Sequence, residues 1–444
     1  MIEKICIILL ANLVFFSKTL TYRYSSDDIP VYNNPPNYRN QWEKRWYWLI
    51  GRMRINPQED HALTTLIHAI VCVFIYIGFG ANDISFIASL LFAFNPTNNQ
   101  GSVWISGRSY ALAAIGMTGA LAFPILALGF IFIAVSTNPG FLAPIALFGS
   151  EAFNPWLIAL FIAGTWAFHG RNFTENVRHK MNKEMFKEDK AIKVEKFVLS
   201  IKTYGFYTVL SLIPFRNSFY HSFLNSCAGS GKEKAYSIND RFFWIGLLIF
   251  FGTSLYWITV PWNMVSFGLL WWIVCLAPFS NFFRMSQEIA ERYAYLPSVG
   301  LMFVLASVIY TYPILVTVFL TMYAVRLWFL MDMYQDDYYL LEHSCVLDPS
   351  AWFTWHQRGL IRWDKKSYQE AIIIWTMARM LSPNEFKINF NLATALYISG
   401  HKENKKEAVY FLKVAEDNIP AGQEEECRRL IDNFRKKGET AILT

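Results

Sequence analysis

Three long stretches of the chain contain no Asp, Glu, Lys or Arg, namely residues 109–150, 242–283 and 293–325. An α-helix rises about 1.5 Å per residue, so about 20 apolar residues cross the hydrocarbon core of a membrane. The first two stretches each have room for two such helices, and the third has room for two shorter ones. A soluble core would interrupt runs of this length with a polar face. The sequence therefore predicts an all-α, polytopic membrane protein.

Composition and charge agree with that class. Only 17% of the 444 residues are charged, against about a quarter in soluble proteins. Much of the basic charge lies in residues 171–202, and a basic loop between apolar segments marks the cytoplasmic side. The distribution of the basic residues thus explains the net charge of +6 as a marker of the orientation in the membrane, and no nucleic-acid partner is expected. No CxxC pair occurs among the six cysteines, so neither a zinc site nor a disulfide framework is predicted.

The hydrophobic pattern predicts about eleven membrane spans. At the N-terminus a first transmembrane helix is favoured over a cleaved signal peptide, because no small-residue cleavage site follows the apolar run. With the N-terminus inside, residues 22–60 lie outside and the basic loop 170–197 lies inside. The odd count then puts the C-terminal end outside, in the periplasm or a lumen, so a bacterial inner membrane and the endoplasmic reticulum both fit. The predicted spans are 4–21, 61–79, 83–96, 104–122, 125–149, 152–169, 198–214, 242–259, 262–280, 297–312 and 313–331.

The C-terminal segment has a different character, because charge rises sharply after residue 331. We therefore expect a transmembrane domain at 1–331 and a helical-repeat domain at 332–444. The spacing of small and aromatic residues with closing prolines matches tetratricopeptide repeats, with a generic array of helical hairpins as the alternative. Such repeats mostly bind peptides or partner proteins. The matching positions are Trp355, Gly359, Ala371, Trp375, Ala378 and Pro383, and then Leu392, Ala393, Ala408, Leu412, Ala415 and Pro420.

Asp27 and Asp28 are the first candidates for chemistry, because they follow the first span directly. A carboxylate under a low-dielectric roof can accept a proton from a hydroxyl group. The competing interpretation is a solvated loop pair that caps a helix. At the junction of the fifth and sixth spans, Glu151 is either functional, as ionisable groups at membrane depth tend to be, or closes an interfacial turn. Arg108 could hold a phosphate through its planar guanidinium or act as an interfacial anchor.

The remaining candidates lie in two further segments. Glu291 and Arg292 precede the tenth predicted span, and Arg292 is a second candidate for a lipid phosphate. Tyr293 would belong to an interfacial aromatic pair. His68 lies one or two turns inside the second span and is a candidate for contact with substrate or with a carboxylate.

Several segments, taken in order, resemble one family, the transmembrane and tetratricopeptide-repeat O-mannosyltransferases and their bacterial relatives, which have the C-type glycosyltransferase fold. The resemblance covers nearly the whole chain, and PFSNFFRMSQEIAERYAYLPSVG is its closest match. The other segments are SSDDIPVYNN (25–34), DHALTTLIHA (60–69), NPTNNQGSVWISGR (95–108) and FGSEAFNPWL (148–157).

The resemblance implies a glycosyltransferase that moves a sugar, commonly mannose, from a polyprenyl phosphate to Ser or Thr hydroxyls of a protein on the outer face. Asp27 or Asp28 matches the catalytic carboxylate, and Arg108 and Arg292 would balance the charge of the departing phosphate. The repeats would hold the acceptor protein. No cofactor is implied beyond the lipid-linked sugar, and no metal ligands are assigned.

The chain departs from the family pattern in two segments. Asn95, Asn98 and Gln100 stand where the family has two histidines and a glutamate, and Gly149 to Glu151 replace a Ser-Lys-Glu motif. These changes leave the sugar, any metal requirement and activity itself open. Two other hypotheses therefore remain, a non-catalytic scaffold that recruits partners through the repeats and a flippase for lipid-linked sugars.

Overall fold

The structure is a computed structural model, and its helices and turns form two compact units. The larger unit contains the described residues before Leu341, apart from Tyr220 and His221, and the smaller unit contains the rest. No β-strand occurs in the described ranges, which confirms the all-α class, whereas the domain boundary at 331–332 stays a prediction. The described residues are 1–35, 40–49, 53–136, 143–150, 193–221, 237–281, 289–399, 402–420 and 423–437.

The larger unit is built from α-helices joined by short 3₁₀ turns. Its first eight helices are α1 (Ile2–Phe15), α2 (Asp28–Asn33), α3 (Gln41–Leu49), α4 (Pro57–Gly78), α5 (Asp83–Phe94), α6 (Asn99–Ser102), α7 (Arg108–Ala122) and α8 (Ala127–Ser136). The next five are α9 (Lys193–Leu212), α10 (Arg241–Thr259), α11 (Met264–Leu276), α12 (Tyr295–Ile309) and α13 (Pro313–Met331). Helix α14 (Asp337–Leu347) contains the boundary between the units.

Five described helical segments are long and apolar enough to cross a membrane, and three more are apolar but shorter. The protein is therefore a helical membrane protein in its general class, while the count of eleven spans stays a prediction. The sixth predicted span, 152–169, lies outside the described residues. The five long segments are Ile2–Thr21, Pro57–Gly78, Arg241–Thr259, Glu291–Ile309 and Pro313–Tyr334, and the shorter ones are Asp83–Phe94, Pro124–Ala134 and Met264–Phe279.

The exposed side chains of α10 and α13 also favour a membrane protein. Helix α10 exposes 82% of Ile258 and α13 exposes 79% of Ile314, each among further exposed apolar side chains. A soluble monomer rarely presents contiguous apolar surface of this kind to water. Lipid chains would cover such surfaces without cost, so the pattern favours α10 and α13 at the periphery of a membrane bundle.

Helices α11 and α12 approach closely where two glycines meet. A Cβ atom on Gly300 would lie 2.3 Å from the carbonyl oxygen of Gly268 and 2.9 Å from Cβ of Trp271. Small residues allow the backbones of membrane helices to touch, and van der Waals packing then stabilises the pair. The glycine contact lies in the second turn of α12, which follows the 3₁₀ turn Glu291–Ala294 that contains Arg292.

The smaller unit contains helical hairpins. Its helices after α14 are α15 (Trp352–Asp364), α16 (Tyr368–Leu381), α17 (Phe386–Ile398), α18 (Lys402–Asp417) and α19 (Glu424–Lys437). Gly359 of α15 packs directly against the indole of Trp375 in α16, and Ala371, Ala378, Ala408 and Ala415 are buried. Small residues at these positions let paired helices approach, as the spacing predicts. The tetratricopeptide assignment itself stays a prediction.

Candidate active site

The two aspartates lie in a tight turn between the first apolar segment and α2. Ser26 has a φ angle of 55°, in the left-handed region that side chains with a Cβ rarely adopt. The turn is closed by hydrogen bonds from the Asp28 amide to the Ser25 carbonyl (3.2 Å) and from the Ile29 amide to the Ser26 carbonyl (3.2 Å). Consecutive carboxylates therefore point into different surroundings, with Asp28 buried and Asp27 exposed.

Asp28 is bound on its buried side by a cation and a hydroxyl group. Nη2 of Arg54 donates to its Oδ1 at 2.7 Å, and Oγ of Ser106 donates to the same oxygen at 2.6 Å. The Arg54 and Asp28 side chains are almost completely inaccessible to solvent. Burial raises the pKa of the Asp28 carboxyl, and the Arg54 guanidinium opposes that shift. Asp28 is therefore an anchor for the turn, because its Oδ1 already accepts hydrogen bonds from Arg54 and Ser106.

Asp27 is placed differently. It is exposed, and its side chain does not cap the helix that it precedes. Loss of hydration among the surrounding protein atoms raises its pKa above the usual value, while the Arg292 guanidinium acts in the opposite direction. An accessible carboxylate with a raised pKa is a better proton acceptor than an ordinary aspartate. The geometry thus distinguishes two residues that look equivalent in the sequence.

Arg292 lies between aromatic rings and amide groups. Its Nη1 donates to Oε1 of Gln100 at 3.1 Å, and its backbone amide donates to the same oxygen at 3.3 Å. The guanidinium carbon lies 5.5 Å from the ring centre of Trp104 and 5.1 Å from that of Tyr293, within the range of cation–π attraction. Tyr110 makes a further side-chain hydrogen bond to Arg292. These contacts orient the guanidinium, which lies within electrostatic reach of Asp27, and Tyr293 contributes its ring face.

Arg108, the other candidate for a phosphate, is held by protein groups. Its Nη2 donates to the Asp60 backbone carbonyl (2.7 Å) and to Asp60 Oδ1 (3.1 Å), and both side chains are fully buried. Nε donates to Oγ1 of Thr64 and Nη1 to the carbonyl of Trp48. A ligand phosphate would have to displace these bonds. In this geometry Arg108, the first residue of α7, ties α3 to α4.

Asp60 completes that anchor and was not singled out from the sequence. Its carboxylate accepts hydrogen bonds from the Tyr24 hydroxyl (2.8 Å), the Trp48 indole (2.8 Å) and the Ile55 amide (3.0 Å), as well as from Arg108. These donors lie on separate parts of residues 22–60. In the sequence, Asp60 could have been recognised only by its position at the start of the apolar helix α4, directly before His61.

Glu291 is buried at the start of the Arg292 segment. Its Oε1 accepts from the Ser218 amide at 2.6 Å, and the Asn99 side chain donates to its other oxygen. Asn99 also accepts a hydrogen bond from the Tyr334 hydroxyl. Glu291 thus connects the segments that support Arg292, and its described contacts are with protein groups.

Two candidates of the sequence lie elsewhere. His68 is fully buried, with Nδ1 at 2.6 Å from the Tyr295 hydroxyl and Nε2 at 3.1 Å from the Ala93 carbonyl. Its ring packs against Phe16 and Phe92, so His68 belongs to the packed core between the helices. Glu151 lies outside the described residues.

The amide side chains of the 95–100 loop act as internal connectors. Asn95 donates to the Ser211 carbonyl (2.9 Å), Asn98 donates to the Phe92 carbonyl (2.9 Å), and Gln100 donates to the Phe219 carbonyl (3.4 Å). Buried amides need such partners. Where the family pattern has ionisable groups, this chain therefore has neutral groups that bind its own backbone.

Neither a group of metal ligands nor a known relative assigns a role to these residues. No three His, Cys, Asp or Glu side chains gather as a possible metal site in the described part of the chain. No family model matches the chain, and comparisons with curated proteins and with solved structures give no match.

Proposed function

We propose that the protein is a membrane glycosyltransferase that moves a sugar from a polyprenyl phosphate to Ser or Thr hydroxyls of a protein. The observation that carries the proposal is an exposed carboxylate, Asp27, within electrostatic reach of the oriented guanidinium of Arg292. The resemblance to the O-mannosyltransferase family suggests mannose as the sugar and the hairpins of the smaller unit as the binding region for the acceptor protein. It also suggests a bacterial inner membrane or the endoplasmic reticulum, with that region on the periplasmic or lumenal side.

In the proposed reaction, Asp27 accepts the proton of the acceptor hydroxyl group. The hydroxyl oxygen forms a bond to the anomeric carbon from the face opposite the phosphate, and the bond between that carbon and the phosphate oxygen breaks. The departing polyprenyl phosphate keeps the electron pair, so its negative charge increases. Arg292 stabilises that charge, because a preorganised cation in a site of low dielectric acts where charge develops. Asp28 holds the turn through Arg54 and Ser106.

The variant Asp27→Asn tests the assignment of the base. We expect it to lower kcat by roughly 10²–10⁴-fold, the usual contribution of a general base, while the melting temperature stays close to that of the wild type. Asp28→Asn should instead destabilise the protein by about 3–5 kcal/mol, because it leaves the Arg54 charge buried without its counter-ion. The assay follows labelled mannose from dolichyl or undecaprenyl phosphate into protein, with the enzyme reconstituted in vesicles.

The outcomes separate the competing functions. Equal transfer by the wild type and Asp27→Asn would contradict the assignment of Asp27. The scaffold is favoured if the wild type transfers no sugar and a variant that lacks residues 350–444 no longer binds the protein partners of the wild type. The neutral amides of the 95–100 loop would also suggest a scaffold. Movement of the lipid-linked sugar across vesicles without any acceptor would indicate a flippase.

A further inference from the structure

The turn that presents Asp27 contains a residue in an unfavourable backbone conformation. Ser26, with its φ of 55°, directly precedes the carboxylate that is exposed. A side chain with a Cβ pays for this conformation, whereas glycine adopts it freely. Such a residue persists only where its surroundings hold it. The contact that holds Ser26 therefore controls where Asp27 points.

That contact comes from the segment after α13. A carboxylate oxygen of Asp337, at the first turn of α14, accepts the hydrogen bond of the Ser26 backbone amide. The same segment binds the preceding residues as well, because the Arg23 amide donates to the Gln335 carbonyl at 2.9 Å. A charged acceptor makes roughly twice as strong a hydrogen bond as a neutral one. Asp337 is thus the charged end of a clasp on the Asp27 turn.

A second pair of contacts secures the clasp further from the turn. Asp332 accepts a hydrogen bond from the Tyr22 hydroxyl at 3.1 Å and forms an ion pair with Lys18 at 2.7 Å. These contacts would keep the two segments together if Asp337 were changed. A substitution at Asp337 therefore acts on the turn itself and leaves the rest of the clasp in place.

The charges around Asp337 are mainly negative. Asp28 and Asp27 face it from the turn, and Asp336 lies beside it on its own segment. Burial raises the pKa of Asp337 to about 6, with the Ser26 amide lowering it and the three aspartates raising it further. Above that pH the carboxylate is ionised and binds the amide strongly. As the pH falls through about 6 it takes up a proton and the bond weakens.

We propose that Asp337 is a positioning residue that holds Ser26 in its left-handed conformation and thereby directs Asp27 towards the acceptor hydroxyl group. The role rests on the proposed function for its catalytic consequence, but the contact itself does not. It also gives the reaction a sensitivity to acid that is separate from the protonation of Asp27. Four variants separate these effects, namely Asp337→Ala, Asp337→Asn, Ser26→Gly and the double variant Ser26→Gly/Asp337→Ala.

The expected pattern follows from the geometry. Asp337→Ala should lower kcat about tenfold, equivalent to about 1.4 kcal/mol, with the donor KM within about twofold of the wild type. Asp337→Asn keeps an acceptor oxygen, so it should retain most of the activity and lose the additional decline of the wild type below about pH 6. The double variant should recover most of the rate, because glycine adopts the conformation without help. Asp336→Asn, which keeps its hydrogen bond to the Tyr339 amide, is the control and should match the wild-type kcat well above pH 6, where Asp337 is ionised in both proteins.

Hydrogen exchange of the intact protein in nanodiscs supplies a readout that does not need activity. The peptide containing residues 22–35 should exchange faster in Asp337→Ala than in the wild type or in Asp337→Asn. Unchanged exchange in Asp337→Ala, or a failure of Ser26→Gly to restore its rate, would overturn the positioning role. If Asp27→Asn is as active as the wild type, the proposed function fails, while the exchange result still decides the contact.

Discussion

The contact between Gln100 and Arg292 shows how one side chain can set the charge of this site. Oε1 of Gln100 is a neutral acceptor, so its bond of 3.1 Å to Nη1 orients the guanidinium without cancelling its charge. The O-mannosyltransferase family that the sequence resembles has a glutamate at the matching place. A carboxylate there would form an ion pair with Arg292. The amide therefore favours a stronger positive field at the position proposed for the phosphate.

Gln100→Glu tests this effect of charge. We expect the donor KM to rise about tenfold or more, because a carboxylate within about 4 Å competes with the phosphate for the guanidinium. Gln100→Met is the matched variant, since it removes the acceptor and adds no charge, and it should raise the donor KM less. Steady-state transfer at varied donor concentration measures both constants. A donor KM for Gln100→Glu equal to that of the wild type would contradict the proposed phosphate position.

Sequence reasoning found the aspartate pair but could not assign separate roles to its members. The difference comes from Arg54 and Ser106, which are 26 and 78 residues away from Asp28 in the chain. Hydrogen bonds over such separations leave no local pattern. The same reason explains Arg108, whose partner Asp60 is 48 residues away and turns an apparent ligand group into an anchor.

At the scale of helices, the uncharged stretches 242–283 and 293–325 overlap long apolar segments, because high hydrophobicity over about 20 residues is a signal in itself. The described part of 109–150 contains only the shorter apolar segment Pro124–Ala134. Helix ends were less predictable. The predicted span 104–122 contains a 3₁₀ turn, Ile105–Gly107, and only then the 15-residue helix α7. The helix begins where the buried Arg108 side chain binds Asp60 and Trp48, which is a tertiary effect.

The glycine contact between α11 and α12 allows a controlled test of packing. Gly300→Ala would place a Cβ atom 2.3 Å from the Gly268 carbonyl oxygen, so the helices must separate. We expect a destabilisation of about 1–3 kcal/mol, as for other overpacked sites. Gly252→Ala in α10 is the matched control, because nothing lies within 4 Å of its Cβ position.

Alanine is also the better helix former by roughly 1 kcal/mol, so Gly252→Ala should be neutral or slightly stabilising. Thermal unfolding of both variants in the same detergent measures the difference. Equal melting temperatures for the two variants would show that the close approach of α11 and α12 does not limit stability.

For the whole molecule, the topology depends on the number of helices that cross the membrane between the basic loop and the hairpins. Helix α9 (Lys193–Leu212) is not among the candidate spans, and it carries Lys202. That lysine is buried and paired with Asp240 at 3.0 Å, and pairing reduces the cost of a charge at membrane depth. The sequence predicts that α9 crosses. With the four apolar segments between residues 241 and 334 it would give five crossings.

An odd number of crossings puts residues 187 and 365 on opposite sides of the membrane. We expect a membrane-impermeant maleimide to label Lys365→Cys, whose native side chain is exposed, in intact right-side-out vesicles. Lys187→Cys, in the basic loop, should react only after permeabilisation. The background carries serine at Cys6 and Cys227, because the other four cysteines are buried. Labelling of both positions from one side would mean an even number of crossings, and α9 would then be a surface helix. If Lys365→Cys reacted only from the cytoplasm, the result would contradict a periplasmic or lumenal binding region for the acceptor.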